Sequence, residues 1–267
     1  MTRWRMRWEF VSTASRIGIA DFRAATTWPS WIFGWLARLI SQALFFTLIG
    51  LQLGSHTTVE FMAVGNTTVL ACMEAMALPG LMVRERQSGA LSLHLAAPTN
   101  YIVGYLARNI YTPAFSIFSS ILGFVFVFAL FQIHPSWPGA AFVPLVVALV
   151  SISLYAYGFA IASLVTGIPS LAMIGTNLGY LSVMAFCGVN VPVTFWPAPV
   201  RALSYAFPLT HGLIAIRELL AGSSAVTILG NCFLEAVVGL GWLAAGVTIL
   251  SLSAYISRRT GGFDLSA

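Results

Sequence analysis

Apolar residues run through this chain in long unbroken stretches, and short polar segments between them carry nearly all the charge. Residues 117–131, IFSSILGFVFVFALF, show no alternation of apolar and polar positions. A strand of a membrane barrel would alternate every second residue. The runs therefore predict helices, which satisfy their backbone groups internally. Six stretches reach the roughly 20 residues needed to cross a bilayer. They fall at about 32–53, 59–82, 105–131, 140–166, 170–191 and 226–256.

The polar segments predict three further elements. In residues 3–24, Trp4, Trp8, Val11, Ser15, Ile19 and Phe22 share one stripe at helical spacing, with Arg5, Glu9, Arg16 and Arg23 away from it. Tryptophan and arginine on opposite faces suit an amphipathic helix lying in the membrane interface. Residues 84–98, RERQSGALSLHLAAP, predict a short amphipathic helix between the second and third spans. Glu85 near its start suits the helix dipole, and Pro98 closes it. Residues 192–222 are divided by Pro192, Pro197, Pro199 and Pro208 and are too broken for two more spans. They predict two short helices, about 198–206 and 209–221, forming a re-entrant hairpin. Non-helical backbone at that depth needs shelter from protein, so the hairpin should pack on the spans. The expected fold is an all-α membrane protein, one transmembrane domain over residues 1–267.

Composition agrees. Only 8% of residues are charged and 58% are hydrophobic, whereas soluble domains carry about 25% charged residues. A net charge of +5, scattered along the chain, offers no nucleic-acid surface. All 13 basic residues are arginine, and their placement sets orientation by the positive-inside rule. Arg3, Arg5, Arg7, Arg16, Arg23, Arg84, Arg86, Arg108, Arg258 and Arg259 mark one side, which places both termini and the 84–98 segment in the cytoplasm. Arg201 and Arg217 fall on the outer side. Met1 to Trp31 lacks the apolar run of a cleavable signal peptide. Cys72, Cys187 and Cys232 lie in apolar stretches and predict free thiols, while the four histidines have no ligand spacing, so no metal site is expected.

Candidate chemistry is sparse. Arg38, Gln42, Glu74, Asn177 and Glu235 lie in or near apolar spans. Buried charge is costly and tends to be paired or functional. Glu74 is the deepest, with Arg38 as its candidate partner; a structural ion pair and a proton- or substrate-coupling role both stay open. Gly175-x-x-x-Gly179 beside Asn177 permits close helix approach, either to a second subunit or within the chain. Phe45, Phe46, Phe186 and Trp196 could contact an amphipathic substrate or simply face lipid. There is no G-x-x-x-x-G-K-[ST] phosphate loop, and without lysine there can be none. An intramembrane enzyme would need facing catalytic groups, for which Glu74 and His211 qualify by type alone. A passive channel or ion-coupled transporter would usually show internal repeats, and the two halves show none.

Two motifs carry a resemblance. Glu85-Arg86, Gly89, Leu91, Leu95 and Pro98 form E-R-x-x-G-x-L-x-x-x-L-x-x-P after the second span. Trp196-Pro197, Arg201, Leu203-Ser204, Phe207-Pro208-Leu209-Thr210 and Arg217-Glu218 follow the fifth. Both, on a six-span plan, resemble the ABC type-2 permease family. The first motif is similar to its coupling helix, the second to its outer re-entrant hairpin. The resemblance implies a permease subunit with no ATPase site of its own, in a prokaryotic plasma membrane. It implies two ABC ATPase subunits that hold the ATP and Mg, and a second permease subunit, identical or homologous, contacted through spans one and five. Glu85, Arg86, Gly89, Leu91 and Leu95 would then couple to the ATPase. The expected cargo is an amphipathic small molecule, a drug or antibiotic, since residues 26–54 resemble the drug-exporter branch; a polysaccharide or lipid-linked glycan is the alternative.

Overall fold

The structure, a computed structural model, describes residues 3–89, 100–134 and 139–260. All regular structure among them is helical. The elements are α1 (Arg3–Ala25), a π-helical turn (Ser30–Leu36) leading into α2 (Ala37–Gln52), α3 (His56–Ala75), α4 (Leu78–Gln87), α5 (Tyr101–Arg108) and α6 (Tyr111–Leu130). They continue as α7 (Val143–Val165), α8 (Ala172–Phe186), α9 (Ala198–Ser204), α10 (Thr210–Leu220) and α11 (Ala225–Thr260).

Among the described residues, five helices are long and apolar enough to cross a membrane: Ser30–Gln52, His56–Gln87, Tyr101–Leu130, Gly139–Val165 and Ala225–Ile256. The expected crossing at 170–191 departs from this pattern. Its helix, α8, has 15 residues, or about 22 Å at 1.5 Å per residue, against a hydrocarbon core of about 30 Å. Gly188, at φ +80°, turns the chain after α8 ends, and Pro192 follows. The expectation of six full-length spans therefore becomes five plus one short helix continued by irregular chain.

Two spans are kinked, each for the same reason. A proline ring clashes with the carbonyl four residues earlier and cannot donate to it. Pro79 sits in the first turn of α4 and interrupts the second span after Ala75. Pro113 sits in the first turn of α6 and interrupts the third span at Asn109–Ile110.

The second span is the centre of the fold. Its most apolar window is 83% buried, against 22% for the first and last spans. Val64, Val69, Cys72 and Met76 of α3 meet Val146, Val147, Val150 and Leu154 of α7, with Leu213 and Ile216 of α10 closing the core. Gly158 lets α7 touch the kink, since a Cβ there would lie 2.4 Å from the Ala75 carbonyl oxygen. The first helix packs on the bundle through Phe10, Ala14, Gly18 and Phe22, of which Phe22 alone belongs to the stripe assigned to the membrane interface. Phe10 reaches Gly104, Gly18 lies on the Arg108 backbone, and Phe22 meets Tyr111 and Phe115 at 5.0 and 4.6 Å. Trp8 and Ile19 are left exposed.

Replacing Gly158 with alanine should push the two helices apart and lower stability by about 1–3 kcal/mol. Thermal unfolding in detergent, followed by tryptophan fluorescence, should show a lower midpoint; an unchanged midpoint would mean the contact is not tight.

Candidate functional site

The Glu85-Arg86 pair lies in the last turn of α4, so residues 84–87 continue the second span and do not begin a separate helix. Ser88 caps that helix, and Gly89 turns away at φ +73°. Leu91 and Leu95, with the rest of the expected coupling helix, lie outside the described residues.

Both charged side chains point back into the protein. Glu85 is buried, with Arg108 Nη1 at 3.3 Å from its Oε1 and the Tyr101 hydroxyl at 3.4 Å from its Oε2. Arg108 also binds the carboxylate of Asp21 on α1. One guanidinium thus joins α1, α4 and α5. Arg86 reaches the other way. Its Nη1 donates to the carbonyls of Thr166 at 2.5 Å and Gly167 at 2.9 Å, in the link between α7 and α8. Two adjacent residues therefore tie one helix end to α1, α5 and the link between α7 and α8.

Above this joint lies a cavity of about 760 Å³, flanked by both proline kinks. Ala77 of the first kink and Asn109, Tyr111 and Thr112 of the second line it. So do Trp31 and Trp35 of the π-helical turn. Such wide turns often occur at functional positions. Glu74 lines the cavity while only 8% exposed. Its Oε1 accepts from Trp35 Nε1 at 2.8 Å and from Ser119 Oγ at 3.1 Å. Arg38, the expected ion partner, is exposed, and its guanidinium lies 5.7 Å from the Trp35 ring. The indole N–H has taken the place assigned to Arg38.

At the other end of the bundle, α10 is pinned by opposite charges. Glu235 of α11, fully buried, accepts from the Leu209 and Gly212 amides at 2.9 Å each. A carboxylate at a helix start and a cation in its last turn both suit the dipole. The cation is Arg217. Its Nη1 donates to Gly188 O at 2.8 Å, and its Nη2 to Phe61 O at 3.0 Å and Val189 O at 3.3 Å. These carbonyls belong partly to the irregular chain after α8, which a bilayer could not solvate. Burial pulls the Arg217 guanidinium down to about 9, which leaves it charged at neutral pH. The Trp242 indole adds a bond to Ala206 O at 2.9 Å.

The remaining candidates separate into groups. Gly175 and Gly179 face inward, where added Cβ atoms would meet Val165 and Ile161, and Met76, respectively. Their glycine stripe serves packing within the chain. Asn177 points out, beside the exposed Met173, Ile174, Leu178 and Leu181. Phe45 and Phe46 form an edge-to-face pair on α2, with Phe45 exposed. Phe186 and Trp196 lie elsewhere, with Phe207 stacked on Phe186 at 5.9 Å and the Trp196 ring at 6.0 Å. No ring contact joins the two groups among the described residues.

The comparison with protein families fits this arrangement. The profile described as ABC-2 type transporter matches residues 19–221, about three-quarters of the chain. The chain belongs to the ABC-2 type transporter family. No curated protein matches it. The permease is therefore a multi-pass membrane component of an ABC transporter. Asp21 and Arg108 were not legible as site residues, and for Trp35 and Glu235 the partners were not legible. Each acts on a partner at least 23 positions away in sequence, and none belongs to a local motif.

Removing Arg108 leaves Glu85 buried without a counter-charge. Arg108→Leu should cost about 3 kcal/mol, the low end for breaking a buried pair, because Arg108 remains a quarter exposed. The Glu85→Arg/Arg108→Glu exchange should recover part of that loss in thermal unfolding. Glu235→Ala should cost about 1–3 kcal/mol for each amide left unpaired. Hydrogen exchange should then quicken at Leu209 and Gly212, with α1 unaffected.

Proposed function

We propose that this permease exports an amphipathic small molecule, a drug or antibiotic, from the cytoplasm or inner leaflet, driven by two separate ABC ATPase subunits. The observation that supports it most is the double attachment of Glu85 and Arg86, to Arg108 and Asp21 on one side and to Thr166 and Gly167 on the other. A partner bearing on residues 84–98 from the cytoplasm would pull the first helix, the feet of the second and third spans and the link after α7 together. Glu85, Arg86, Gly89, Leu91 and Leu95 are the coupling residues in this reading, and ATP and Mg stay on the partner. The termini face the cytoplasm, and the 192–222 hairpin sits in the outer leaflet.

A second permease subunit covers the outward face of α8, with Asn177 at its centre, and the exposed face of α2 around Phe33, Phe45 and Leu48. Contact through Asn177 replaces contact through the glycines. A cargo path between two such faces would run along α2 past Phe45 and Phe46, and past Phe186 and Trp196 near the hairpin. Cargo reaches it from the cavity behind Trp31 and Trp35, whose mixed aromatic and charged walls suit an amphiphile.

Arg86→Ala should preserve membrane insertion and ATPase binding, because it removes one side chain's bonds, those to Thr166 and Gly167 among them, and leaves the Glu85–Arg108 pair in place. It should uncouple the complex: in proteoliposomes ATP hydrolysis continues while ATP-dependent uptake of a fluorescent cationic amphiphile falls about tenfold or more, as expected when charge-assisted bonds at a working joint are lost. Undiminished uptake would overturn the coupling role. Failure of the wild-type chain to retain any ATPase in lipid nanodiscs would overturn the export reading.

A further inference from the structure

The cavity under the first helix has a charge pattern that coupling does not explain. Among the described residues, five side chains of the acidic and basic types line it: Asp21, Glu74, Glu85, Arg84 and Arg108. Arg108 is taken by Asp21 and Glu85 together, and that trio carries one net negative charge. Arg84 is exposed at the rim, where water screens it. Glu74 has no ion partner among the described residues. The interior is therefore short of positive charge.

Glu74 is also built to receive something. Both of its hydrogen bonds, from Trp35 and Ser119, go to Oε1. No described residue bonds Oε2, and that atom is not among the buried polar atoms left without a partner, so it is accessible where the residue lines the cavity. A carboxylate fixed by two donors on one oxygen presents the other with little freedom to lose. Trp35 lies five residues into its span, a depth of about 8 Å at 1.5 Å per residue. Trp31 and Phe115, 5.4 Å apart, supply aromatic wall, which attracts cations and buries apolar tails. The volume of about 760 Å³ lies within the usual range for small-molecule sites.

We infer that this cavity, lying within one permease chain, binds an amphiphile with an amine head, the ammonium against Glu74 Oε2 and the tail along the aromatic wall. The source is either a free cationic amphiphile or the amine headgroup of a membrane lipid. Only the fate of the ligand rests on the export reading; binding is measured on the permease alone, so the two can fail separately.

The test uses the full-length permease in phosphatidylcholine nanodiscs with radiolabelled dodecylamine, empty nanodiscs being subtracted. Saturable binding is expected, weakened about tenfold or more in Glu74→Gln and not displaced by dodecanol. Ala77→Phe keeps the carboxylate but fills the space beside it, and should abolish binding even if Glu74→Gln proves unstable. Equal binding in wild type and Ala77→Phe, or displacement by dodecanol at the same concentration, overturns the site. Phosphatidylethanolamine nanodiscs then distinguish the sources. Lost dodecylamine binding there identifies the lipid headgroup as occupant, and retained binding identifies a free amphiphile.

Discussion

Arg108 stands between two carboxylates, Asp21 and Glu85, and the arginine-rich end of the molecule depends on that placement. Without it the first helix would meet the bundle mainly through small and apolar residues such as Phe10, Ala14, Gly18 and Phe22. With it, α1 is bound electrostatically to the foot of the third span and, through Glu85, to the foot of the second. Burial makes the joint directional. A carboxylate as enclosed as Glu85 cannot exchange its partner for water cheaply, so displacing α4 displaces α5 with it, while Asp21, more than half exposed, holds α1 to the same guanidinium less firmly. Arg86, its neighbour, extends the same joint to the link after α7.

The far end obeys the same constraint with different parts. A helix of 15 residues cannot hold its chain in hydrogen-bonded form across a bilayer, so the carbonyls beyond it need donors from elsewhere. Arg217 supplies them, and Glu235 supplies acceptors for the start of the helix that carries Arg217. Leu209 sits at φ +88° between them, a strained conformation for a branched side chain. Its amide bond to Glu235 and its burial in the core hold it there. Charges inside this membrane domain are thus concentrated at two joints, and the cavity lined by the first of them holds a carboxylate oxygen with no partner among the described residues.

Much of the fold was legible because hydropathy and proline position act locally. The long apolar runs gave the spans, and the four prolines of 192–222 gave its two short helices. The kinks at Pro79 and Pro113 follow from the same chemistry, though in the sequence they looked like uninterrupted spans. The short α8 was not legible, because residues 187–191 are as apolar as a helix would require. Partners were the harder problem. Glu74 announced itself as a buried charge, but nothing local says that an indole 39 positions away would hold it in place of Arg38. The G-x-x-x-G stripe announced close packing, but which neighbour it meets depends on how α7 and the second-span kink are placed around α8. Motif spacing locates such features; only tertiary geometry gives them a direction.

Spin labels at Ser88 and Ile168, both exposed and one on each side of the Arg86 bonds, would examine the joint during work. The distance between them is best measured in the assembled transporter, without nucleotide and again with ATP trapped. A rigid joint predicts one unchanged distance distribution, while labels on α2 and α11 move relative to both. Separation of Ser88 from Ile168 on ATP binding would contradict it, and the Glu85-Arg86 pair would then be a contact that breaks instead of one that transmits.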